Sequence, residues 1–413
     1  MDQYRVRYCS KKEDKYKGDT MKKLIGVTLI GISILLTSCA TQDNTQVDNS
    51  TTGIVCEESP YFMKSMGIII SEEGYYSQKN SSGVDEDTKQ INSEGDYLTY
   101  ISKETGKETY LCSKLECTHT DEKGYTLSSC NANIKSSMPG SIGYHNEWLY
   151  VLTYNESTYE VTLTRVSKDG SVHEDIMVIG EAPDRAGYYK YVFVNDDIYM
   201  VENIEEADGI HIDKININKK EKERVYSLDK EGSIGNLKAV GDNIFAIQCE
   251  KQGEDYKKSI IKYNCTTKEV ESIVEEDLII SYTIVDENTI YYYVETEGLY
   301  QLNINSKESK LIRPCDEETK SVYLAYDGTY LYMENIMNKY RYNENSHHQI
   351  IVCDLDGKKI NTIDMEANEN LLPASFCDEN YLFATHFSHK GQQWTYIKHE
   401  DITKKDVSWT NIE

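Results

Sequence analysis

Positive charge is scarce in this sequence of 413 residues, which has 44 Lys and Arg against 70 Asp and Glu. The formal net charge of −26 argues against nucleic acid as a partner, because an acidic surface repels phosphate backbones. Residues 1–38 carry eight Lys or Arg and four Asp or Glu, so the rest of the chain has a formal charge of −30. We expect most of this charge to lie on a solvated outer surface.

An apolar run of transmembrane length is also missing. Residues 24–36 are mostly apolar, but thirteen residues fall short of the roughly 20 that a helix needs to span a bilayer. Lys22 and Lys23 precede this run, and Leu36-Thr37-Ser38-Cys39 ends it. This order is typical of a lipoprotein export signal. We therefore predict a signal peptide over residues 21–38 and a lipidated mature N-terminus at Cys39, which anchors the protein at the outer face of the cell membrane.

The segments on either side of this signal lack the composition of a folded domain. Residues 1–20 are charged and stand where a signal should begin, so we predict that translation starts at Met21; a genuine extended n-region is the alternative. Residues 39–53 are polar and simple, which is typical of a flexible tether. Residues 54–413 are then expected to form one continuous domain.

Helical periodicity is missing from that domain, and a short turn followed by an aromatic strand recurs instead. The equivalent aromatic positions are separated by 49, 46, 46, 41 and 51 residues, a period typical of a propeller. They are Tyr150, Tyr199, Phe245, Tyr291, Tyr332 and Phe383, with an earlier copy at Tyr76.

A second turn, rich in Gly, Asn, Asp, Thr and Lys, follows each aromatic strand, as in Asn218-Lys219-Lys220 and Asp356-Gly357-Lys358. Seven turns of this kind match the seven aromatic strands. The pattern predicts an all-β fold, a β-propeller of seven four-stranded blades, although six or eight blades also fit. A pair of β-sandwiches or a β-solenoid is the competing architecture.

Familiar catalytic motifs are absent: there is no Gly-x-Ser-x-Gly, no His-Glu-x-x-His and no phosphate-binding Gly-Lys-Ser/Thr loop. We interpret His386, His389, His347 and His348 as surface histidines rather than metal ligands. Asp354-Leu355-Asp356-Gly357 resembles half of a calcium loop, but it coincides with a repeat turn and is interpreted as a β-turn.

The period breaks between the first and second repeats, where Cys112, Cys117, His119 and Cys130 lie close together in an insert at about residues 112–134. Such a set could hold structural zinc or another soft metal. It could equally form disulfides, for example Cys117 with Cys130 and Cys112 with Cys56. The nine cysteines that remain besides Cys9 and Cys39 cannot all pair within one chain. Metal handling or redox sensing is a third, weaker interpretation.

Two further cysteines fall at repeat positions that face inward. Cys265 aligns with Ile217 and Ile304, and Cys353 aligns with Ile215 and Leu302. Both are therefore predicted to be buried structural cysteines rather than reactive ones.

A resemblance to a known protein family rests on three segments: Tyr110-Leu111-Cys112, Glu116-Cys117-Thr118-His119 and Cys130-Asn131-Ala132. Together they are similar to the cysteine signature of uncharacterised β-propeller surface lipoproteins of clostridial and related anaerobic Gram-positive bacteria. The resemblance covers the signal, the tether and the propeller. It implies a surface-attached propeller in which these cysteines and the histidine match recurring positions, and it implies no established activity.

Function is therefore predicted at the level of class. The preferred hypothesis is a cell-surface lipoprotein whose propeller binds an extracellular protein, peptide or glycan. The alternative is an extracellular glycan hydrolase or lyase, for which acidic and His residues from several blades should cluster at the axial mouth. Catalysis is the lesser option.

Overall fold

A computed structural model describes residues 67–84, 91–134, 142–182, 189–202, 210–228, 231–253, 255–316, 319, 322–335, 348–365, 371–388 and 391–412. Residues 1–20, the signal peptide, Cys39, the tether and Cys56 lie outside these described residues. So do His347 and His389. In the described part of the chain, no helix is long and apolar enough to cross a bilayer.

The described strands form seven antiparallel sheets, each from consecutive strands in simple up-and-down order. Each sheet is one blade, so the prediction of a seven-bladed β-propeller is confirmed. Blade 1 contains β1 (Ile68–Ile70), β2 (Gly74–Val84), β3 (Ile91–Ser102), β4 (Glu108–Tyr110) and an added β5 (Asn133–Ile134); blade 2 contains β6 (Gly143–His145), β7 (Trp148–Tyr154), β8 (Glu160–Ser167) and β9 (His173–Glu181); blade 3 contains β10 (Tyr189–Val194), β11 (Asp197–Glu202), β12 (His211–Asn216) and β13 (Glu221–Ser227).

The remaining blades follow the same order. Blade 4 contains β14 (Gly232–Val240), β15 (Asn243–Gln252), β16 (Asp255–Asn264) and β17 (Val270–Glu275); blade 5 contains β18 (Ile279–Asp286), β19 (Thr289–Val294), β20 (Gly298–Asn303) and β21 (Glu308–Pro314); blade 6 contains β22 (Tyr323–Tyr326), β23 (Leu331–Glu334), β24 (Gln349–Cys353) and β25 (Lys359–Asp364); blade 7 contains β26 (Leu371–Cys377), β27 (Tyr381–Ser388), β28 (Gly391–Lys398), a short 3₁₀ helix (His399–Asp401) and β29 (Thr410–Asn411).

The two turn motifs read from the sequence fall at fixed places in every blade. The aromatic strand is the second strand, and the polar turn joins the third strand to the fourth. In several of these turns an Asn side chain accepts backbone N–H groups, as Asn264 does from Thr266 and Thr267 at 3.0 and 2.8 Å. The last turn residue often adopts a left-handed conformation, with φ of +56° at Lys220 and +61° at Lys268. Local turn chemistry therefore sets the strand spacing.

Apolar side chains fill the spaces between blades rather than the middle of any single blade. Seven clusters of buried residues are present, one for each pair of neighbouring blades around the ring. Seven sheets joined by seven interfaces make a closed ring, because an open row of seven sheets would have only six interfaces. Each sheet thus buries both of its faces against its neighbours.

The ring closes where blade 7 meets blade 1. Each of these two blades is built from its own stretch of the described chain, so side chains rather than a shared strand make the closure. Phe383 and Trp394 pack against Tyr75 and Ile101. Two buried hydrogen bonds cross the same interface: the Tyr75 hydroxyl donates to Asp378 at 2.7 Å, and the Trp394 indole N–H donates to the Ser77 hydroxyl at 2.7 Å.

The two ends of the propeller carry different connections. One end, the tight-turn face, holds the turns from first to second strand and from third to fourth strand. Neighbouring blades contact each other there, as the Asn146 amide donates to Asp196 at 3.0 Å and the Asn195 amide donates to Asp242 at 3.3 Å. The other end, the loop face, holds the connections from second to third strand and from blade to blade. The Cys/His insert belongs to neither set of connections, because it lies within blade 1, between β4 and β5 at the outer edge of the sheet.

Candidate metal centre

The outer strand of blade 1 is split, and the insert occupies the split. β4 pairs with β3 at Thr99–Ile101, and β5 pairs with the same edge of β3 at Asp96 and Tyr97. Leu98 lies between the two halves and is bonded by both: Leu111 N–H donates to its carbonyl at 3.0 Å, and its own N–H donates to the Ala132 carbonyl at 2.9 Å. The 22 residues between β4 and β5 must therefore start and end at one point.

Cys112, Cys117, His119 and Cys130 converge at that point. Their potential ligand atoms all lie within 4.8 Å of one another, and Cys130 Sγ is 3.5 Å from His119 Nδ1. Cys130 is buried and the other three side chains are half-buried. No disulfide is formed by Cys112, Cys117, Cys130 or the other five cysteines of the described residues. The sequence left metal and disulfide open, and this arrangement gathers all four side chains around one centre.

A small hairpin explains how His119 and Cys130 meet across ten intervening residues. Thr120 and Thr126 form a β-bridge, and the Asp121 carboxylate accepts the backbone N–H groups of Lys123 and Tyr125, both at 2.9 Å. His119 has a left-handed backbone with φ of +65°, which turns the chain between Cys117 and the hairpin. The ten residues between His119 and Cys130 therefore form a compact hairpin that brings the two side chains together.

Backbone N–H groups point at the sulfur of Cys112. Burial raises the pKa of this thiol, but N–H groups of Lys114 and Asn131 lower it, and the net result is a pKa below the usual value. At Cys130 burial prevails and raises the pKa to about 12, against the lowering effect of the Ala132 N–H. N–H donors to sulfur stabilise thiolate, which is the form that binds metal.

An aromatic stack supports the histidine from the blade side. The His119 ring stacks on Tyr110 with centroids 4.7 Å apart and planes 11° apart, and Tyr110 stacks on Tyr97 at 4.9 Å. Tyr110 and Tyr97 stand on β4 and β3, so the regular sheet fixes the ring of His119. A rigid ring orientation is what a ligating histidine requires.

Blade 2 holds the insert from the other side. His173 Nε2 lies 2.8 Å from the Asn131 carbonyl, and the Asn131 amide donates to the Ser113 hydroxyl at 3.0 Å. Gly170 packs so closely on the chain that a Cβ at that position would lie 2.1 Å from the Leu111 carbonyl oxygen. The insert is thus tied to the outer edges of two blades.

The donor set suits a closed tetrahedral site. Three sulfurs and one imidazole nitrogen are typical of structural zinc, with bonds of about 2.3 and 2.0 Å that separate neighbouring ligand atoms by about 3.5 to 3.8 Å. The separation of 3.5 Å between Cys130 Sγ and His119 Nδ1 matches those values, and the four ligand atoms all lie within 4.8 Å of one another. Four protein ligands leave no open position for a substrate, so the geometry favours a structural role over a catalytic one.

The other cysteines singled out in the sequence lie elsewhere. Cys353 is fully buried at the end of β24, between blades 5 and 6. Cys265 is only half-buried and follows β16 rather than lying within it, although it packs against the cluster between blades 3 and 4. Burial and nearby carboxylates raise the pKa of Cys265, and burial raises that of Cys353 to about 11.

One histidine corrects the sequence interpretation. His348 is not a surface residue: it is buried, and its Nε2 lies 2.8 Å from the buried Glu334 carboxylate. His348 directly precedes β24, and its side chain is buried in blade 6 instead of lying in a polar surface loop. The Asp354 carboxylate accepts the backbone N–H groups of Asp356 and Lys358, as expected for a β-turn.

Sequence reasoning missed several supporting residues. Tyr97 and His173 carry no metal-binding signature, and the segment Tyr110-Leu111-Cys112 does not indicate that Tyr110 stacks on the histidine. Histidines elsewhere in the described part contact carboxylates at separate places in the ring, as His211 does with Asp213 at 3.3 Å and His399 with Asp327 at 3.1 Å. In the described residues, only Cys112, Cys117, His119 and Cys130 form a group able to hold a metal ion.

Comparisons with known proteins agree with the fold and go no further. No protein-family model matches the sequence, and neither does any curated protein. Among solved structures, a prolyl endopeptidase has a TM-score of 0.52 at 12% identity, with 87% of this chain and 50% of that one covered. An oligogalacturonate lyase in complex with manganese has a TM-score of 0.42 at 11% identity, over 64% of this chain and 86% of that one.

A second oligogalacturonate lyase, from Vibrio parahaemolyticus, has a TM-score of 0.43 at 10% identity, over 82% of this chain and 86% of that one. The chain spans half the length of the prolyl endopeptidase. Identities this low describe a shared fold alone.

Proposed function

We propose that this chain is a lipid-anchored surface lipoprotein, related to the clostridial β-propeller lipoproteins that its cysteine signature resembles, whose propeller binds an extracellular protein, peptide or glycan. One observation carries the choice of binding over catalysis. In the described residues, the contacts between histidines and carboxylates lie at separate places in the ring, and the one group of three or more His, Cys, Asp and Glu side chains whose donor atoms converge is the Cys/His centre. A glycan hydrolase or lyase would need such groups to converge.

The binding role is tested with the purified full-length chain and a panel of insoluble polysaccharides and peptidoglycan. We expect the protein to co-sediment with at least one of them while no reducing ends, unsaturated sugars or peptide fragments are released. Product release that depends on intact protein would overturn the proposal in favour of the enzyme class.

The lipid anchor is tested separately in the native cell. We expect a palmitate analogue supplied to the culture to label the protein and the labelled protein to sediment with membranes. Cys39→Ala should abolish the labelling and release the chain, whereas Cys56→Ala should change neither. Unlabelled wild-type protein, or labelling that persists in Cys39→Ala, would contradict the anchor.

We further propose that Cys112, Cys117, His119 and Cys130 hold one structural zinc ion that ties the two halves of the split outer strand of blade 1. The observation that favours zinc over two disulfides is the convergence of all four ligand atoms within 4.8 Å. A disulfide between Cys117 and Cys130 would leave His119 and its stacked Tyr110 without a role. Zinc uses all four side chains and needs no open coordination site.

Elemental analysis and thiol labelling of anaerobically purified protein test this site. We expect one zinc per chain, and loss of that zinc in Cys117→Ser but not in Cys265→Ser, a matched half-buried cysteine outside the centre. The zinc proposal would be contradicted if the protein contained no metal and Cys112, Cys117 and Cys130 were protected from labelling until a reductant was added. That result would indicate disulfides instead.

A further inference from the structure

A groove of about 170 Å³ opens at the outer side of blade 4, toward the loop face. β15 and β16 have ten residues each, against six in β11 and β12 of the neighbouring blade 3. The sheet of blade 4 therefore offers a longer face than its contact with blade 3 uses. Tyr226 of blade 3 forms one wall of the groove, and blade 4 forms its floor.

Side-chain chemistry changes along that floor. Ala246 and Ile261 face each other across β15 and β16, and both belong to the apolar cluster shared with blade 3. The next cross-strand pair on the same face is Gln248 with Ser259, and the one after it is Glu250 with Lys257. The apolar contact between blades thus gives way to a row of hydrogen-bonding groups.

These polar groups are held in place by one another. The Tyr226 hydroxyl donates to Gln248 Oε1 at 2.5 Å, and Gln248 Nε2 donates to Glu250 at 2.8 Å. Lys257 forms an ion pair with Glu275, which lies on the same face of the outer strand β17. Gln248 is only 8% exposed, so packing fixes its amide in one orientation. A ligand would meet preorganised donors and acceptors, which lowers the cost of binding.

The character of the groove narrows the class of ligand. Two carboxylates against one ammonium disfavour an anion, and a polar floor disfavours an apolar molecule. Amide, hydroxyl and carboxylate groups beside one aromatic ring suit hydroxyl groups that both donate and accept hydrogen bonds. The volume is below the ~300 Å³ at which pockets for drug-sized ligands begin, so a single ring is a better fit than a folded peptide segment.

We propose that this groove between blades 3 and 4 binds one neutral sugar ring of a glycan, with Gln248, Glu250 and Glu275 as hydrogen-bonding partners and Tyr226 as the wall beside the ring. The inference rests on the proposed binding function and names its ligand as a neutral glycan rather than a protein, a peptide or an acidic polysaccharide.

Saturation-transfer NMR on the full-length chain with cellobiose as probe tests the groove, with digalacturonic acid as the charged comparison. We expect saturation transfer to cellobiose and none to digalacturonic acid. Gln248→Ala and Glu275→Gln should each weaken cellobiose binding about five- to tenfold, since each removes one or two hydrogen bonds.

A matched control is available on the same strand. Glu271 lies on β17 four residues before Glu275, but it pairs with Lys262 in register and forms an ion pair with Lys307 of blade 5 at 2.6 Å, so it faces the opposite side of the sheet. Glu271→Gln should leave cellobiose binding unchanged. Unfolding curves of all three variants exclude a general loss of structure as the cause.

Three results would contradict the proposal that the groove binds a neutral sugar. These are no saturation transfer to cellobiose, stronger transfer to digalacturonic acid, or equal weakening by Glu271→Gln and Glu275→Gln. If the protein co-sediments with a polysaccharide and both groove variants retain that property, the groove proposal fails while the binding propeller stands. If the wild type binds no polysaccharide or peptidoglycan but does bind cellobiose in the groove, the broader binding proposal is restricted to soluble glycans.

Discussion

Two regions of blade 1 are built by opposite means. Its contact with blade 7 is an apolar interface of buried aromatic rings, in which Tyr75, Phe383 and Trp394 are at most 1% exposed. Its outer strand, by contrast, is interrupted by the Cys/His insert, in which Leu115 is fully exposed. The interface gains its stability from burial over a large area, whereas the proposed zinc site would act through a few directional bonds at one point. We therefore expect the two regions to respond differently to substitution.

The strongest test of this contrast removes an aromatic ring from the interface. Phe383→Ala should lower the free energy of unfolding by about 3–5 kcal/mol, because it leaves a cavity where the ring packs 4.8 Å from Tyr75. Urea denaturation measures the change, and zinc content should stay the same. Leu311→Ala, at a position 43% exposed, serves as the control and should change stability by about 0.5 kcal/mol or less. Equal effects of the two substitutions would contradict the assignment of the interface.

Removing a ligand should act locally. In Cys117→Ser we expect the amides of Leu98 and Leu111 to lose protection in hydrogen exchange, since the two halves of the outer strand separate without the metal. The urea midpoint should fall much less than in Phe383→Ala. Unchanged protection would show that the centre does not hold the outer strand. A urea midpoint as low as that of Phe383→Ala would show that its effect on stability is not local.

The aromatic stack under the histidine should tune metal affinity. Tyr110→Leu removes the ring that stacks on His119 at 4.7 Å, and we expect zinc affinity to fall about tenfold, as is typical for partners that orient a ligand. Tyr110→Phe keeps the ring and should restore most of the affinity. Competition with a chromophoric chelator measures the zinc affinity of both variants. Equal zinc affinities of Tyr110→Leu and Tyr110→Phe would show that the stack does not contribute to metal binding.

The smallest effect concerns a single hydroxyl at the interface with blade 7. Tyr75→Phe deletes a buried hydrogen bond to Asp378 and should cost about 1 kcal/mol at neutral pH. Burial, and then the Asp378 charge, raise the pKa of Tyr75 above its usual value. Stability from this group is therefore fully present below about pH 10, the pKa of an unfolded-chain tyrosine, and is lost as pH rises further.

Urea midpoints measured from pH 7 to pH 11 test that sign. The wild type should lose stability above about pH 10, and Tyr75→Phe should lose less, because one buried phenol no longer resists ionisation. A steeper alkaline loss in the variant than in the wild type would contradict the assigned direction of the pKa shift.

The repeating part of the fold could be predicted from sequence because local chemistry determines it. Turns such as Thr266-Thr267-Lys268 and the aromatic strands after the first turns recur in every blade, and each is specified by a few neighbouring residues. Closure into a ring of seven then follows from the need of each sheet to bury both faces.

The centre and the groove depend on contacts between distant segments, which a single sequence does not display. Spacing placed Cys112 and Cys130 in one insert, but the hairpin from Thr120 to Thr126 that brings them together depends on turn geometry. The position of His348 inside blade 6 depends on its partner Glu334, fourteen residues earlier. The groove at Gln248 exists because blade 4 has longer strands than blade 3, and no motif signals such a difference.

The closure between blades 7 and 1 also affects the order and the rate of folding. The hydrogen bonds that join them link residues 303 and 317 positions apart, so they can form only after nearly the whole chain is available. Contacts of such long sequence separation slow folding. Until Trp394 of blade 7 packs in place, the face of blade 1 around Tyr75 stays uncovered. The partly folded chain then exposes an apolar surface that is prone to aggregation. We therefore expect the chain to need protection from aggregation until blade 7 has formed.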